Sequence, residues 1–211
     1  MKNLILLILM AFAFLPASPQ VSHTCRSEWL LSYSNTDGMA NYLVGEGSFR
    51  EVPRFTILPN VEWDINYDFG EHFGMFSGLG FYNVGFLLRD DDTKYVWRSI
   101  NVGVPLAFRI GNMEKNQYMF IGAEMEQSIH LKRKSICGKE RIRHGEYFSN
   151  KINGLMPSMF IGINNDDFYM QLKVYLFDFV NKTYKFEDEM PFLDVNSGIF
   201  SFTFGYNYNR K

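Results

Sequence analysis

The chain has 211 residues, a formal net charge of −2 and an aromatic content of 17%, which comes mainly from 21 Phe and 12 Tyr. Its mean hydropathy is nevertheless −0.16, so many polar residues accompany the rings. The near-neutral charge gives no indication of a nucleic-acid partner, and the length is enough for one domain after a leader.

The first twenty residues have the pattern of a secretory signal peptide. Lys2 precedes an apolar run from Leu4 to Leu15, and small residues and prolines follow. This run is shorter than the roughly 20 residues that a membrane-spanning helix needs, and no later run approaches that length. We therefore predict a signal peptide at residues 1–20 and one exported domain at residues 21–211. That domain is either a soluble secreted protein or a barrel that spans an outer membrane with strands.

Eight segments after the signal alternate apolar and polar residues with the period of two that is typical of β-strands. In chain order they are SEWLLSYS, NVEWDINYDF, MFSGLGFYNVGFLL, KYVWRSINVGVPLAFRI, QYMFIGAEMEQSIHLK, LMPSMFIGI, FYMQLKVYLFDFV and GIFSFTFGYNYN. The first is the weakest of the eight. Short and long connections alternate except at RDDDT, and such alternation is typical of barrels with tight periplasmic turns and longer extracellular loops.

The last segment has the strongest alternation and raises the question of which face is outside. Its rings are Phe200, Phe202, Phe204, Tyr206 and Tyr208, and Ser201, Thr203, Gly205 and Asn207 lie between them. A soluble lipocalin-like barrel would bury the rings, whereas a membrane barrel turns them toward lipid. The second arrangement is favoured because such bulky faces overfill an eight-stranded interior, and because rings crowd the strand ends as they do at membrane interfaces. The prediction is an all-β fold, an eight-stranded antiparallel transmembrane β-barrel with both termini in the periplasm.

Three groups of residues occur in a specific order along the chain. They are Gly78-Leu79-Gly80 with Asn83 and Gly85, then Arg98 with Val104-Pro105, then Gly122 with Glu124 and Glu126. In this order they resemble the outer-membrane β-barrel domain family of Gram-negative bacteria, and most closely its small, largely uncharacterised eight-stranded members. The resemblance covers Pro53 to Tyr208 and implies a location in the cell outer membrane, but no activity. It also implies a last strand that the outer-membrane assembly machinery recognises, although three further residues follow the final ring.

Charged residues of both signs occupy the polar positions of several strands. They are Glu62, Asp64, Asp68, Arg109, Glu124, Glu126, His130 and Lys173. Inside a narrow barrel such charges must pair to offset their desolvation, and eight strands leave no open channel. We expect a structural network that plugs the interior, with Arg109 or Lys173 in contact with Glu124 or Glu126. A conduction or proton path is the alternative.

Glu126, Ser128 and His130 share one face of a predicted strand, so that Ser128 and His130 could form a nucleophile and base pair. Such a pair would suit a lipid-modifying hydrolase of the outer membrane. However, these side chains are predicted to point inward, and no oxyanion-hole motif accompanies them. A non-enzymatic structural or surface-interaction role is therefore favoured, and the hydrolase and a soluble barrel that binds an apolar ligand are the alternatives.

The long polar segment at residues 133–153 is strongly basic. Its cations are Arg133, Lys134, Lys139, Arg141, Arg143 and Lys151. In an extracellular loop they would either contact the phosphates of lipopolysaccharide or another anionic partner, or pair with the acidic loops at 90–92 and 187–189. Outer-membrane lipid and lipopolysaccharide are thus the expected surroundings. The sequence contains no recognisable metal or cofactor motif and identifies no protein partner.

The two cysteines are predicted to lie at opposite ends of the barrel. Cys25 precedes the first strand, on the periplasmic side, and Cys137 follows the fifth strand, on the outer side. An apolar band about 25 Å tall separates these levels, whereas a disulfide needs Cα atoms within about 7 Å. We therefore expect no disulfide between them.

Overall fold

The computed structural model describes residues 20–36, 38–39, 43, 50–90, 92–187 and 189–210. The predicted signal peptide lies outside these ranges, except for Gln20, which begins the first strand. The strands are β1 Gln20–Asn35, β2 Arg50–Glu51, β3 Arg54–Asp68, β4 Phe73–Arg89, β5 Thr93–Asn112, β6 Gln117–Cys137, β7 Glu140–Tyr147, β8 Leu155–Asn165, β9 Phe168–Tyr175 and β10 Gly198–Arg210. Within the described part of the chain, no helix is both long and apolar enough to cross a membrane.

Eight of these strands close into a ring by antiparallel pairing. The order around the ring is β1, β3, β4, β5, β6, β8, β9 and β10, and β10 pairs with β1 to complete it. The short strands β2 and β7 stay outside the ring and pair with the ends of β4 and β6. A closed ring satisfies the backbone hydrogen bonds of every strand, which a sheet must do to cross lipid. The predicted eight-stranded antiparallel β-barrel is therefore confirmed.

The connections differ at the two ends of the barrel. Turns at residues 69–72, 113–116 and 166–167 join strands at one end, where β1 begins and β10 ends. Longer connections lie at the other end, which also carries the short turn at residues 90–92. This is the predicted alternation. We call the end with the long connections the outer end.

Three predicted segments differ from the observed strands. The first strand, predicted to begin at Ser27, begins at Gln20, so Cys25 lies within it and does not precede it. β9 ends at Tyr175 and does not continue to Val180. The basic segment, predicted as a loop, is largely strand, because β6 runs on to Cys137 and returns as β7. These strands were not predicted because the sequence at 133–147 does not alternate between apolar and polar residues. β6 and β7 form a hairpin beyond the ring there, and charged residues occupy both of its faces.

The outer surface of the ring carries a continuous apolar band. On β5 every second residue from Ile100 to Ile110 is apolar and faces outward, and Leu106 near the middle is 50% exposed. On β10 the ring of Phe200 is 50% exposed, whereas Thr203 is 1% exposed. Ten residue steps of about 3.3 Å at a tilt of about 40° correspond to about 25 Å, the height of a membrane barrel's apolar band. The rings of the last strand therefore face outward, as predicted.

The interior is filled in three layers. The layer near the short turns is aromatic and consists of Phe76, Ala107, Tyr118, Phe120, Phe160 and Tyr169. The outer layer is also apolar, and it combines inward-facing strand residues such as Phe86 and Trp97 with Phe179, Val180 and Phe192 from the connection at 176–197. A polar layer with buried charges lies between the two.

Two facing glycines make room for this polar layer. Gly80 on β4 pairs with Gly103 on β5. A Cβ atom on Gly103 would lie 2.2 Å from Oε1 of Glu124, and one on Gly80 would lie 2.1 Å from the hydroxyl oxygen of Tyr82. The missing side chains thus admit Glu124 and Tyr82 to the barrel axis.

Candidate functional site

Arg26 is at the centre of the first half of the polar layer. It is paired across the sheet with Glu62, so the alternation of the two strands turns both side chains inward. Its guanidinium lies 3.1 Å from Oε1 of Glu62 and 2.8 Å from Oδ2 of Asp64. The face of the guanidinium also lies 4.6 Å from the ring centre of Phe76, in cation–π geometry. The aromatic layer and the charged layer are therefore in direct contact.

Arg26 was missed by the sequence analysis, although it completes the network. The first predicted strand began at Ser27, one residue after Arg26, and it was the segment with the weakest alternation. The available signal was its spacing, since Arg26 has the same parity as Glu28 and Ser32, which also point inward and are buried.

Lys173 is the cation of the second half. Its Nζ contacts Oε2 of Glu124 and lies 3.1 Å from Oε1 of Glu126. The hydroxyl of Tyr175 donates a hydrogen bond of 2.7 Å to Glu126. Arg109 or Lys173 was expected to contact Glu124 or Glu126; Lys173 contacts both, and Arg109 contacts neither.

Tyr82 joins the two halves into one cluster. Its ring centre lies 4.1 Å from Nζ of Lys173, and its hydroxyl donates a hydrogen bond of 2.6 Å to Oε2 of Glu62. With Glu28, five buried carboxyl groups surround two cations, Arg26 and Lys173. The cluster fills the middle of the barrel with directed contacts between five strands, β1, β3, β4, β6 and β9.

Arg109 and Asp68 form a separate pair near the short turns. The Arg109 guanidinium contacts Oδ1 of Asp68 and lies 4.8 Å from the ring centre of Tyr118. Asp68 is the last residue of its strand and is partly open to solvent. This pair closes the barrel below the aromatic layer.

His130 does not belong to the interior. Ile100 on β5 pairs with His130, and the next residue, Asn101, pairs with Ser128, so that Ile129 is an extra residue in β6. This β-bulge shifts the alternation by one position. Leu131 is consequently buried inside, and the ring of His130 stacks at 4.3 Å on the exposed ring of Tyr147 on β7. The prediction that His130 joins the interior network is corrected by this geometry.

The same bulge separates the two residues of the hydrolase hypothesis. Ser128 is buried, and its hydroxyl contacts the hydroxyl of Ser99 inside the barrel. His130 lies on the opposite face of the strand, so the two side chains do not form a nucleophile and base pair in this structure.

Five of the six cations of the basic segment lie on different parts of a hairpin, and the sixth, Lys151, follows it. We call residues 130–147, the end of β6 and all of β7, the outer hairpin. Arg133 and Lys151 both bind Oε1 of Glu146 at 2.6 Å. Lys134 and Arg143 are paired neighbours across the hairpin and turn to its other face. Lys139 and Arg141 are exposed near its tip.

Glu146 holds one face of the hairpin in place. Partial burial alone would raise the pKa of its carboxyl group. The hydrogen bonds from Lys151 and Ser149 and the charge of Arg133 outweigh this effect and lower the pKa to about 2. Glu146 therefore stays ionised at all ordinary pH values and forms ion pairs with two of the basic side chains.

The distribution of polarity gives the location of the barrel. An exposed apolar band surrounds a charged interior, which is the reverse of a soluble barrel. The protein is a β-barrel with the surface of a protein that spans a membrane with its strands. The exposed rings then face lipid, and the buried charges are paired with one another inside the barrel.

Several solved structures are similar to this chain along most of its length. No known protein family and no curated protein sequence matches the chain. Among solved structures, Neisserial surface protein A is similar over 90% of this chain and 99% of its own, with 10% identity and a TM-score of 0.44. OprG of Pseudomonas aeruginosa is similar over 90% and 97%, with 10% identity and a TM-score of 0.37. Ail, the attachment invasion locus protein of Yersinia pestis, is similar over 89% and 97%, with 15% identity and a TM-score of 0.35.

Proposed function

We propose that the protein is a non-conducting, non-enzymatic outer-membrane barrel that acts as a structural or surface-interaction protein through its outer end. The observation that carries this proposal is the filled interior. Two apolar layers and the polar cluster between them lie in series along the barrel axis. An ion would have to displace several packed rings as well as paired charges to pass.

The filling of the outer end also supports the proposal. Phe179 and Phe192 come from the connection at 176–197 and are fully buried against strand residues of the barrel. Their rings pack against Phe86 and Trp97 at centroid distances of 5.5 and 6.0 Å. This connection is thus part of the core and covers the barrel mouth.

Single-channel recording tests the absence of conduction. The purified full barrel, reconstituted into planar bilayers at low protein density, is expected to give no stepwise current, while a general porin in the same bilayers does. Stepwise currents whose ion selectivity changes in a Glu126→Gln variant would contradict the proposal, because they would place a conducting path through the polar layer.

Lipid analysis tests the absence of enzyme activity. Lipid A is extracted from cells that express the protein, from cells that express Ser128→Ala, and from cells that lack it, and the masses are compared. We expect identical spectra, because Ser128 is enclosed and its hydroxyl contacts the hydroxyl of Ser99, while His130 lies on the opposite face of the strand. A mass change that depends on Ser128 would support the hydrolase alternative.

Outer-membrane lipid, lipopolysaccharide and the outer-membrane assembly machinery are the partners that we infer for this barrel. The exposed band requires a lipid environment, and β10 pairs with β1 along nearly its whole length, which makes it the closing strand. Fractionation separates this proposal from the soluble-barrel alternative. The folded protein should require detergent for extraction and should migrate differently on a gel before and after heating.

A further inference from the structure

A group of unpaired cations lies on the outward face of the barrel, directly beyond the apolar band. On β5 the unbroken run of outward apolar residues ends at Ile100, and the next outward residue is Arg98. Val96 follows on the same face and lines the cleft described below. Arg98 is paired directly with Lys132 on β6. Lys132 lies beyond the β-bulge, which turns its side chain to the outward face. These two side chains therefore lie at the depth where the hydrocarbon ends and lipid headgroups begin.

The cations surround a cleft. It has a volume of about 420 Å³, and its lining includes Arg98, Lys132, Lys134 and Arg143. Gly145 is paired with Lys132 and forms part of the same lining, and a Cβ atom on it would lie 3.0 Å from Nε2 of His130. We call this feature the basic cleft.

The basic cleft has no acidic partner within the part of the chain that the structure describes. Arg133 and Lys151 share Glu146, but none of the four cations of the cleft forms an ion pair with a described carboxylate. Loss of solvation and the nearby charges of Arg143 and Arg141 lower the pKa of Lys134. Like charges held this close, on strands whose register fixes them, are stabilised by an anion between them.

We propose that the basic cleft binds the phosphate group of a phosphorylated glycolipid in the outer leaflet. The depth of the cleft and its direction both favour this occupant. Arg98 and Lys132 face outward from the barrel wall, and Lys134 and Arg143 continue the same face onto the outer hairpin, toward the lipid headgroups that surround the barrel. Arg98 and Arg143 supply planar guanidinium groups that match phosphate oxygens, and the lysines add charge. The inference rests on the proposed membrane location but not on the absence of conduction, so a conducting barrel would leave it intact.

Native mass spectrometry of the full detergent-solubilised barrel tests the proposal. The protein is titrated with lipid A that carries both phosphates, with fully dephosphorylated lipid A and with inorganic phosphate as a competitor. The test variant is Lys132→Gln with Lys134→Gln. The matched control is Lys139→Gln with Lys185→Gln, which removes two exposed charges from the same end of the barrel.

We expect the test variant to bind phosphorylated lipid A about 30-fold more weakly than the wild-type protein. Each basic residue at a membrane surface contributes roughly fivefold to the affinity, and the variant lacks two of them. The control should change less than about twofold, and millimolar inorganic phosphate should not displace the lipid. Equal binding of dephosphorylated lipid A, or an equal loss in the control, would overturn the proposal. Displacement by inorganic phosphate would also overturn it, in favour of a free anion. If the test variant does not fold, Arg143→Gln on β7, outside the ring, should still weaken binding about fivefold, and unchanged binding there would refute the proposal.

Discussion

Replacing Arg26 with methionine should be among the most damaging single substitutions in this barrel. Methionine keeps the apolar contact with the rings below but leaves Glu62 and Asp64 without their cation. All three side chains are at most 3% exposed. At an effective dielectric constant of about 20, each ion pair supplies about 5 kcal/mol of attraction, and the cost of burying the charges offsets much of it. Removing one partner of a buried pair costs about 3–5 kcal/mol, because it leaves an uncompensated charge in the interior.

The triple variant Arg26→Met, Glu62→Gln, Asp64→Asn separates pairing from packing. It removes the cation together with both carboxylates, and the amide oxygen introduced by Glu62→Gln can still accept the hydrogen bond from Tyr82. We expect it to be at least about 2 kcal/mol more stable than Arg26→Met alone. The free energy of unfolding is measured by urea titration in lipid vesicles, with tryptophan fluorescence as the signal. Lys115→Met, at an exposed turn, is the control and should change stability by less than about 0.5 kcal/mol. A triple variant that is as unstable as the sum of its single substitutions would refute the pairing argument.

Three further predictions concern the outer face, the polar layer and the outer hairpin, and a fourth concerns the thiols. Leu106→Lys should cost about 2–4 kcal/mol in lipid vesicles because it places a charge in the middle of the apolar band; a change below about 0.5 kcal/mol, the size of a surface substitution, would argue against that position. Gly103→Ala should destabilise by about 1–3 kcal/mol through overpacking, whereas Gly70→Ala, with no atom within 4 Å of the added Cβ, serves as the neutral control in the same titration. The pKa of Glu146 is lowered from 4.5 to about 2, so its stabilisation of the hairpin should be complete above pH 4.5 and lost as the pH falls through about 2. The protection of the β7 amides from hydrogen exchange should follow the same pH dependence. Glu146→Gln should abolish this pH dependence. Both cysteines are free and Cys137 is exposed, so an impermeant maleimide should label Cys137 alone on intact cells, and an intramolecular disulfide in the unreduced protein would be incompatible with this topology.

Sequence alternation was sufficient to predict the ring of strands and the identity of its two faces. Each strand of a barrel has one side in lipid and one side in a narrow interior, so every second residue experiences the same environment. Phe200 and Ser201 could therefore be assigned to opposite faces from their parity alone. The same reasoning predicted that Arg109 or Lys173 would contact Glu124 or Glu126, because a buried cation requires a carboxylate within reach. The structure selects Lys173.

The sequence by itself determined the number of strands in the ring, their alternation and the outward direction of the rings of aromatic side chains, since these depend on local patterns with a period of two. The tertiary structure decided where that period is interrupted and which distant segments meet. The extra residue Ile129 moves His130 from the interior to the surface, and no local pattern marks a bulge. Arg26 completes the polar cluster because β1 lies beside β3 in the ring, and Phe179 fills the barrel mouth from a connection without regular structure. Such contacts depend on closure of the ring, which brings together residues that are far apart in the chain.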